Sequence, residues 1–380
     1  VKGQYYFCSF IVKLKAMNQS QLSWWNLSLT DRHQNSLNDA FNSKKLSYNT
    51  VGSQLEKKLA GTLKVKHCLM TTSGSTALLI ALKSLGVGPG DEVIIPNRTF
   101  QATANAVCFT GARVKIADVC PDTALIDPAG LEKLISSRTK AIIPVHLNGR
   151  GCNMKKILEI AHQNNLFVVE DSAQAFMSST QGLPLGSFGN FGCFSLGVTK
   201  FITSGQGGFI VTNSDELYSE AKKYIFHAAT GNDVRHFNNF GFNFRLSDLL
   251  SSLALTEMDH LEEKRAKYIK HYLLYRELLQ NSRVLSLMPS LIESGEVPIW
   301  IEVLSPYREK IAALLKKNNI ETVKSYPSVH RSAYLMQDHQ AFPHSEKFEN
   351  EELILPCGPD ITESQIRRVV QTISEFEPLA

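Results

Sequence analysis

The feature that most constrains the fold of this chain is a regular alternation of short apolar runs with helical patterns across residues 65–212. Short apolar runs bounded by turn residues are typical of buried strands, and apolar residues spaced by three or four positions are typical of helices. Strands that alternate with helices pair in parallel through right-handed crossovers. The predicted strands are 92–95, 113–117, 141–145 and 166–170, and the predicted helices are 101–109, 128–135 and 154–163.

Those predicted strands are almost continuously apolar, so helices should cover both faces of the sheet. The expected fold is therefore α/β, with a mostly parallel central sheet flanked by helices. Farther along the chain, residues 246–279 have a long helical pattern, and residues 297–303, 307–317 and 363–376 follow as strand, helix and helix. This second pattern predicts a smaller C-terminal α+β domain.

The domain boundary is predicted within the long helical stretch, near residue 260. Residues 17–260 would then form an N-terminal segment and the large domain, and residues 261–380 the small domain. Residues 1–16 contain an apolar run of eight residues, which is too short to span a bilayer. Lysines follow this run in place of a small-residue cleavage site. We therefore interpret residues 1–16 as a leader or an over-extended start, without a role.

Charge and cysteine usage narrow the class of protein. The net charge is only +4 and the lysines and arginines are scattered, which argues against a nucleic-acid partner. We expect no membrane association either. The cysteines form no CxxC pair and lie in apolar stretches, as is typical of reduced core thiols in a cytoplasmic protein. They are Cys8, Cys68, Cys108, Cys120, Cys152, Cys193 and Cys357.

Two polar groups stand out beyond the predicted strand 166–170. Asp171 comes just after the apolar run, Lys200 follows 29 positions later, and Ser195 lies between them. Pyridoxal 5'-phosphate (PLP) needs such groups, because an amine forms its Schiff base, a carboxylate pairs with its pyridine nitrogen, and hydroxyls hold its phosphate. Open α/β sheets bind ligands at the carboxyl ends of their strands. The sequence therefore predicts a PLP site at this edge of the sheet.

A second candidate element is the segment TSGSTAL at residues 72–78, which begins a helix predicted to reach Leu85. The free N–H groups and partial positive charge of a helix start bind phosphate readily. The alternative is an ordinary N-cap by Ser73 or Ser75. Phe100, which follows the strand 92–95, is a candidate to stack on a flat ring, with a core phenylalanine as the alternative.

Taken together, these residues resemble the sugar aminotransferases of the DegT/DnrJ/StrS type, which are PLP enzymes of the aspartate aminotransferase-like fold (fold type I). The resemblance extends over about residues 51–376. The order and spacing of seven motifs carry it: SGSTAL (73–78), IIPNRTFQATANAV (94–107), IIPVHLNGR (142–150), VVEDSAQAF (168–176), CFSLGVTK (193–200), GQGGFIVT (205–212) and GFNFRLSD (241–248).

The resemblance implies a role for each matching position around the PLP ring. Lys200 matches the Schiff-base lysine, and Asp171 matches the partner of the pyridine nitrogen. Gln174 matches the residue that hydrogen-bonds the ring oxygen, although it could merely cap the chain after Asp171. Phe100 matches the aromatic side chain that stacks on the ring.

The resemblance also implies a phosphate site and an assembly. Ser195, with Gly74 and Ser75, matches the phosphate-binding residues. Asn243 matches an asparagine that reaches the phosphate of the neighbouring subunit's cofactor, which makes the expected active unit a homodimer with shared sites. From the sequence alone, Asn243 also fits a plain turn residue.

The reaction that the resemblance implies is a ping-pong amino transfer from glutamate to a nucleotide-linked keto-sugar. A 4-keto-6-deoxyhexose is the expected acceptor, with a 3-keto sugar as the alternative. A cyclitol or aminobenzoate-type PLP enzyme would keep every motif. A PLP-dependent sugar dehydratase would replace the lysine with histidine, and a regulatory protein would lose the lysine or the aspartate, yet Lys200 and Asp171 are both present.

The chain departs from the family pattern beside the expected lysine. Gln206 stands in place of the usual glutamate of a GEGG turn, and Leu196 and Gly197 replace the aromatic residue that commonly follows the serine. Met177 and Ser178 replace the usual pair after the EDxAQA run. No expected cofactor ligand is lost, but these changes could alter the shape of the pocket.

Overall fold

The computed structural model describes residues 21–228, 240–335 and 341–377. Cys8 and the segment 1–16 lie outside the described residues. Nine short strands form within residues 67–212, and seven of them make up the main sheet. The nine are β1 (His67–Thr71), β2 (Glu92–Pro96), β3 (Arg113–Ala117), β4 (Thr139–Ile142), β5 (Phe167–Asp171), β6 (Ser179–Thr180), β7 (Leu183–Pro184), β8 (Phe191–Ser195) and β9 (Gly208–Thr212).

The main sheet has seven strands in the order β1-β9-β8-β5-β4-β2-β3. Neighbouring strands from β8 to β3 pair in parallel, and β9 is antiparallel to both β1 and β8. The predicted mostly parallel central sheet is therefore confirmed. The strands β2 and β9 are buried at every residue, as expected for a sheet that is covered on both faces.

The α-helices that the structure describes are eleven. They are α1 (Asp31–Asn42), α2 (Thr50–Leu63), α3 (Gly74–Ser84), α4 (Gln101–Thr110), α5 (Met154–Gln163), α6 (Asp215–Ile225), α7 (Asp248–Glu257), α8 (Leu261–Leu279), α9 (Arg308–Lys317), α10 (Pro343–Glu351) and α11 (Glu363–Ser374). Helices α3, α4 and α6 share one apolar cluster with the main sheet, and α5 shares another. This arrangement follows from the period of two along a strand, since Val93 faces the first cluster and Ile94 the second.

A second, smaller sheet lies in the C-terminal part of the chain, as predicted. Its strands are antiparallel and follow the order β10-β11-β13-β12, where β10 is Ser286–Leu287, β11 is Ile301–Leu304, β12 is Val323–Lys324 and β13 is Glu352–Leu355. The N-terminal segment pairs with this region, because Leu22 bridges Ile320 and Trp25 bridges Cys357. The proposed division into residues 17–260 and 261–380 stays a prediction.

Three predicted elements differ from the observed ones. Residues 128–135 form two short 3-10 turns, Pro128–Gly130 and Glu132–Leu134, because Gly130 disfavours helix propagation in so short a segment. The long helical stretch is α7 and α8, separated by the 3-10 turn Met258–His260.

The third difference is the strand predicted at residues 297–303, of which only β11 forms. The backbone N–H of Val297 donates to the Ser178 hydroxyl, and those of Ile299 and Trp300 donate to the Asn148 side chain. Pro298 has no N–H to donate. The side chains of Ser178 and Asn148 therefore accept from backbone N–H groups that would otherwise pair with a neighbouring strand.

The cysteine prediction is only partly correct. The cysteines within the described ranges are free thiols, and Cys68, Cys152, Cys193 and Cys357 are buried as expected. Cys108 and Cys120 are only partly buried, so these two are not core thiols. Among the described helices, none has the length and apolar character needed to cross a membrane.

Candidate active site

Asp171 lies at the carboxyl end of the main sheet, as the last residue of β5. It is 6% exposed and lies between the ends of β4 and β8. Its Oδ2 accepts a hydrogen bond from the Thr103 hydroxyl at 2.7 Å, and its Oδ1 accepts one from the Ala173 backbone N–H at 3.2 Å. Two neighbours thus fix the orientation of this carboxylate.

Two cationic groups, Lys200 and His146, lie near the buried Asp171 carboxylate, but neither pairs with it directly. Burial raises the pKa of Asp171, while the hydrogen bonds from Thr103 and Ala173 and the charges of Lys200 and His146 oppose that rise. Within the described part of the chain, no cationic side chain forms an ion pair with Asp171. A buried carboxylate without such a partner is costly, so a positively charged group beside it would stabilise the site.

Lys200 lies in the turn that leads from β8 toward β9, with its side chain partly buried. Its Nζ is 5.2 Å from the centroid of the Trp300 ring. Burial lowers the pKa of Lys200 to about 8, and the Asp171 carboxylate opposes that shift. An amine with this pKa is partly unprotonated near neutral pH, which makes it a competent nucleophile.

The start of helix α3 meets the end of β8. The Ser73 hydroxyl accepts the N–H of Thr76 at 3.1 Å and so caps the helix, which confirms the N-cap alternative for Ser73. A Cβ on Gly74 would lie 2.9 Å from the Ser195 Cβ, so helix and strand touch there. Ser75 is exposed on the first helical turn. Cap and anion site are compatible, because one cap leaves other N–H groups of the turn free.

Gln174 and Phe100 lie on either side of Tyr326. Gln174 is 5% exposed, and its Oε1 accepts the backbone N–H of Asn148 at 2.9 Å. Gln174 also hydrogen-bonds the Tyr326 side chain, and this bond opposes the rise in the Tyr326 pKa that burial causes. Phe100 is the residue before α4, is 45% exposed, and packs edge-on against Tyr326 at 5.9 Å between ring centroids. Phe100 is therefore not a core phenylalanine.

Asn243 is exposed and belongs to the segment before α7. Its Oδ1 accepts a hydrogen bond from Arg245 Nε at 3.0 Å, which leaves the amide N–H groups directed elsewhere. The neighbouring Phe244 carbonyl accepts the N–H of Thr72 at 3.0 Å, so this segment lies beside the turn that precedes α3. Its reach to another subunit stays a prediction.

Residues 28–374 match the profile of the DegT/DnrJ/EryC1/StrS aminotransferase family, which is most of the chain. The chain belongs to this family. It is similar to the GDP-perosamine synthase of Caulobacter vibrioides, with 34% identity over 85% of this chain and 89% of the relative. It is equally similar to the UDP-N-acetyl-3-dehydro-alpha-D-glucosamine 3-aminotransferase of Acidithiobacillus ferrooxidans, with 34% identity over 85% and 87%.

A solved structure supports the same assignment. The DesV protein of S. venezuelae, in complex with a ketimine intermediate, is 27% identical to this chain and superposes with a TM-score of 0.89 over 93% of this chain and 98% of that one. The protein is accordingly a PLP-dependent transaminase of fold type I.

The described residues of the aminotransferase fit PLP. The protonated pyridine nitrogen would supply the direct ion-pair partner that the buried Asp171 carboxylate lacks among these residues. The first turn of α3 at Gly74 and Ser75, with Ser195, offers N–H and hydroxyl donors for the phosphate. Lys200 supplies the amine, and the exposed side of Phe100 offers a surface for the ring.

A Gly74→Ala variant should bind PLP at least about fivefold more weakly. Its added methyl group would lie 2.9 Å from the Ser195 Cβ, and overpacking of this kind costs about 1–3 kcal/mol. Titration of the cofactor-free enzyme with PLP, followed by absorbance, measures the change. Gly61→Ala is the matched control, since no atom lies within 4 Å of a Cβ there. Equal affinities in the two variants would contradict this phosphate site.

Sequence reasoning missed several residues around the site of the aminotransferase. Thr103 lies within the motif at residues 94–107. Its spacing of four from Thr99 could have indicated that the two side chains are close, and their hydroxyls are 2.6 Å apart. Trp300 and Tyr326 could not be assigned to the site from the sequence, because they lie in the C-terminal part of the chain, far along it from the other site residues. Asn148 was hidden in the motif at 142–150.

The departures from the family pattern lie in different surroundings. Leu196 is fully buried in the core, and Gln206 is exposed. Ser178 is buried and accepts the Val297 N–H at 3.0 Å, so it holds the backbone before β11. Met177 has a positive φ of 70° and packs against the core. These contacts give Leu196 and Ser178 structural roles.

Proposed function

We propose that this aminotransferase moves an amino group from glutamate to a nucleotide-linked keto-sugar. The names of the relatives support the acceptor, since they act in GDP-linked and UDP-linked sugar chemistry. The observation that carries the proposal is the convergence of Asp171, the amine of Lys200 and the first turn of α3 around one edge of the main sheet. Glutamate as donor and a 4-keto-6-deoxyhexose as acceptor are the specific expectations.

In this proposal, PLP supplies the electron-accepting ring when it is bound. The Lys200 amine would hold the cofactor covalently until an amino donor displaces it. Its Nζ would then serve as the general base and acid that moves the proton of the amino-bearing carbon of glutamate. The pKa of about 8 suits both directions of transfer.

Asp171, Thr103 and Gln174 would orient the cofactor ring and control its protonation. The Asp171 carboxylate would keep the ring nitrogen protonated, and the Thr103 hydroxyl holds that carboxylate in place. The Gln174 amide, whose oxygen is already occupied by Asn148, would present its N–H to the ring oxygen. Across the two half-reactions, one water would be consumed as 2-oxoglutarate leaves and one returned as the keto-sugar accepts the amino group. One glutamate and one keto-sugar are thus converted into one 2-oxoglutarate and one amino-sugar.

The acceptor is tested by incubating the purified enzyme with glutamate and a panel of nucleotide-linked 4-keto and 3-keto sugars. We expect 2-oxoglutarate and an amino-sugar of matching mass from a 4-keto-6-deoxyhexose. A 3-keto sugar is the second candidate, because the A. ferrooxidans relative is named for a 3-dehydro sugar. Turnover of a cyclitol or an aminobenzoate precursor, with none of the sugars accepted, would contradict the proposal.

A regulatory role is the rival from another class. One relative, from Geobacillus stearothermophilus, is 33% identical over 90% of this chain and is named a pleiotropic regulatory protein. Lys200 and Asp171 are retained here, which favours an enzyme. Absorbance spectra discriminate the two, since glutamate should remove the cofactor's long-wavelength band in an active transaminase. We expect a cytoplasmic enzyme, in keeping with the free thiols of the described cysteines.

We further propose a homodimer in which Asn243 reaches the partner's phosphate site. Asn243 is exposed, and the exposed side chains of Phe240 (78%) and Phe242 (57%) precede it. Neighbouring exposed aromatic residues are typical of an interface core. An interface formed by this segment would bury both rings and place the amide of Asn243 next to another subunit.

Mixing two inactive variants, Lys200→Ala and Asn243→Ala, should restore activity if the site is shared. One of the two sites in each mixed dimer then has both residues intact, whereas a site built within one chain would regain nothing. Steady-state turnover after subunit exchange measures the recovery, and each variant alone is the control. The shared site would be refuted if no activity returned once subunit exchange had been confirmed and Asn243→Ala had been shown to be inactive by itself.

A further inference from the structure

Trp300 lies directly against the amine of Lys200. The Lys200 Nζ is over the face of the indole at 5.2 Å from the ring centroid. This geometry is a cation–π contact, which favours the ammonium form. Trp300 itself is only 7% exposed, so its ring also shields the amine from water on that side.

The indole N–H of Trp300 has no hydrogen-bond partner among the described residues. A buried donor without a partner costs stability, and an apolar side chain of similar size would fill the space without that cost. Packing alone therefore does not account for tryptophan at this position. Its aromatic face toward Lys200 is what an aliphatic side chain would not provide.

Asn148 fixes the backbone of Trp300. The Asn148 Oδ1 accepts the N–H of Ile299 at 3.0 Å and that of Trp300 at 2.8 Å. The Asn148 Nδ2 donates to the Trp300 carbonyl at 3.0 Å. Three hydrogen bonds from one buried amide thus hold the indole in place beneath the lysine.

The same asparagine orients Gln174. Its backbone N–H donates to the Gln174 Oε1 at 2.9 Å. Asn148 adopts a left-handed backbone conformation (φ 49°, ψ 39°), and a Cβ on the following Gly149 would lie 2.2 Å from the Val297 carbonyl oxygen. This close crossing allows one residue to contact both Gln174 and the chain at Trp300.

We propose that Trp300 is a positioning residue for Lys200, because the face of its ring holds the lysine Nζ. Asn148, which contacts both residues, couples the placement of Trp300 to that of Gln174. The inference deepens the proposed function and rests on the assignment of Lys200. After its release from the cofactor, the lysine has four rotatable side-chain bonds, and the ring face limits where its nitrogen can go. The charged group that acts on this amine is Asp171.

The test measures the proton affinity of Lys200 directly, without substrate. Trace acetylation of the cofactor-free enzyme across a pH series, followed by peptide mass spectrometry, gives the midpoint at which Lys200 becomes reactive. We expect about 8 for the unchanged chain, in line with the pKa of Lys200. In Trp300→Leu, loss of the cation–π contact should lower the midpoint by roughly half a pH unit to one and a half.

Trp300→Phe keeps a ring and should give an intermediate midpoint, because tryptophan is the better cation–π partner. The exposed Lys155, read from the same digests, is the internal control and should not change. In the holoenzyme, the midpoint of the pH-dependent cofactor absorbance should follow the same order of variants. Circular dichroism checks the fold.

Equal Lys200 midpoints in all three proteins, or a rise in Trp300→Leu, would overturn the proposal. If Trp300→Leu does not fold, Trp300→Phe decides alone, and a midpoint equal to that of the unchanged chain refutes the role. Failure of the proposed function would look different, because the keto-sugar panel would then remain unconverted while the Lys200 midpoints still followed the ring at position 300.

Discussion

Lys200→Ala should lose at least about 10⁴-fold in turnover while keeping its fold. A general acid–base group alone is worth about 10²–10⁴-fold, and this variant also loses the covalent attachment of the cofactor. Steady-state assays with glutamate and the accepted keto-sugar measure the loss. We expect the variant to retain the cofactor non-covalently through Asp171 and the first turn of α3, so binding and turnover should separate.

The assignment of Lys200 is checked chemically as well. Borohydride reduction of the holoenzyme, followed by peptide mapping, should place the cofactor on Lys200. Lys155→Ala is a suitable control, since Lys155 is exposed on helix α5. Labelling at any other lysine, or near-normal turnover by Lys200→Ala, would refute the assignment.

Asp171→Asn should lower the rate of the glutamate half-reaction by at least about 100-fold. The variant keeps the shape of the side chain but leaves the ring nitrogen without its anionic partner. A hydrogen bond to a charged group contributes about 1.5–3 kcal/mol, or about 10- to 150-fold in rate, and the weaker electron sink adds to this. Single-turnover absorbance with glutamate measures the rate, and near-normal values would contradict the role of Asp171.

The same substitution has a pH signature in the cofactor-free chain. Burial raises the pKa of Asp171 in the folded state, so the folded chain holds this proton more tightly than the unfolded chain. The associated stability is present below the ordinary aspartate pKa, about 4, and is lost as pH rises through the folded value. The free energy of unfolding of the unchanged chain, relative to that of Asp171→Asn, should therefore decline from about pH 4 to neutrality. Urea unfolding at several pH values measures it, and a constant difference would contradict the raised pKa.

Much of the large sheet could be predicted, because its strands are buried on both faces and their sequences are apolar throughout. The predicted helix at 154–163 coincides with α5, and the predicted strand at 113–117 coincides with β3. Periodicity failed where tertiary contacts took over the backbone donors, as at Val297 and Trp300. It also failed at 128–135, where Gly130 lies inside the helical pattern and two short turns form instead.

Local sequence pattern pointed to the candidate site residues at a strand end or a helix start, whereas Lys200, Gln174 and Asn243 were proposed from motif spacing and the family resemblance. Asp171 and Gly74 were found because apolar runs and helix starts leave a local pattern in the sequence. Thr103, Asn148 and Trp300 leave no such pattern, since each acts through a contact with a residue far away in the chain. Their hydrogen bonds and ring contact to Asp171, Gln174 and Lys200 needed coordinates.

The α/β architecture, the family and the chemical groups available for PLP follow from apolar periodicity and from motifs that are local in the chain. The surroundings of the reacting groups required the fold: a buried carboxylate that pairs with no cationic side chain among the described residues, and a lysine amine over the ring of Trp300. The physical reason is that a pKa and a side-chain position depend on burial and on neighbours from distant segments, and local sequence does not encode either.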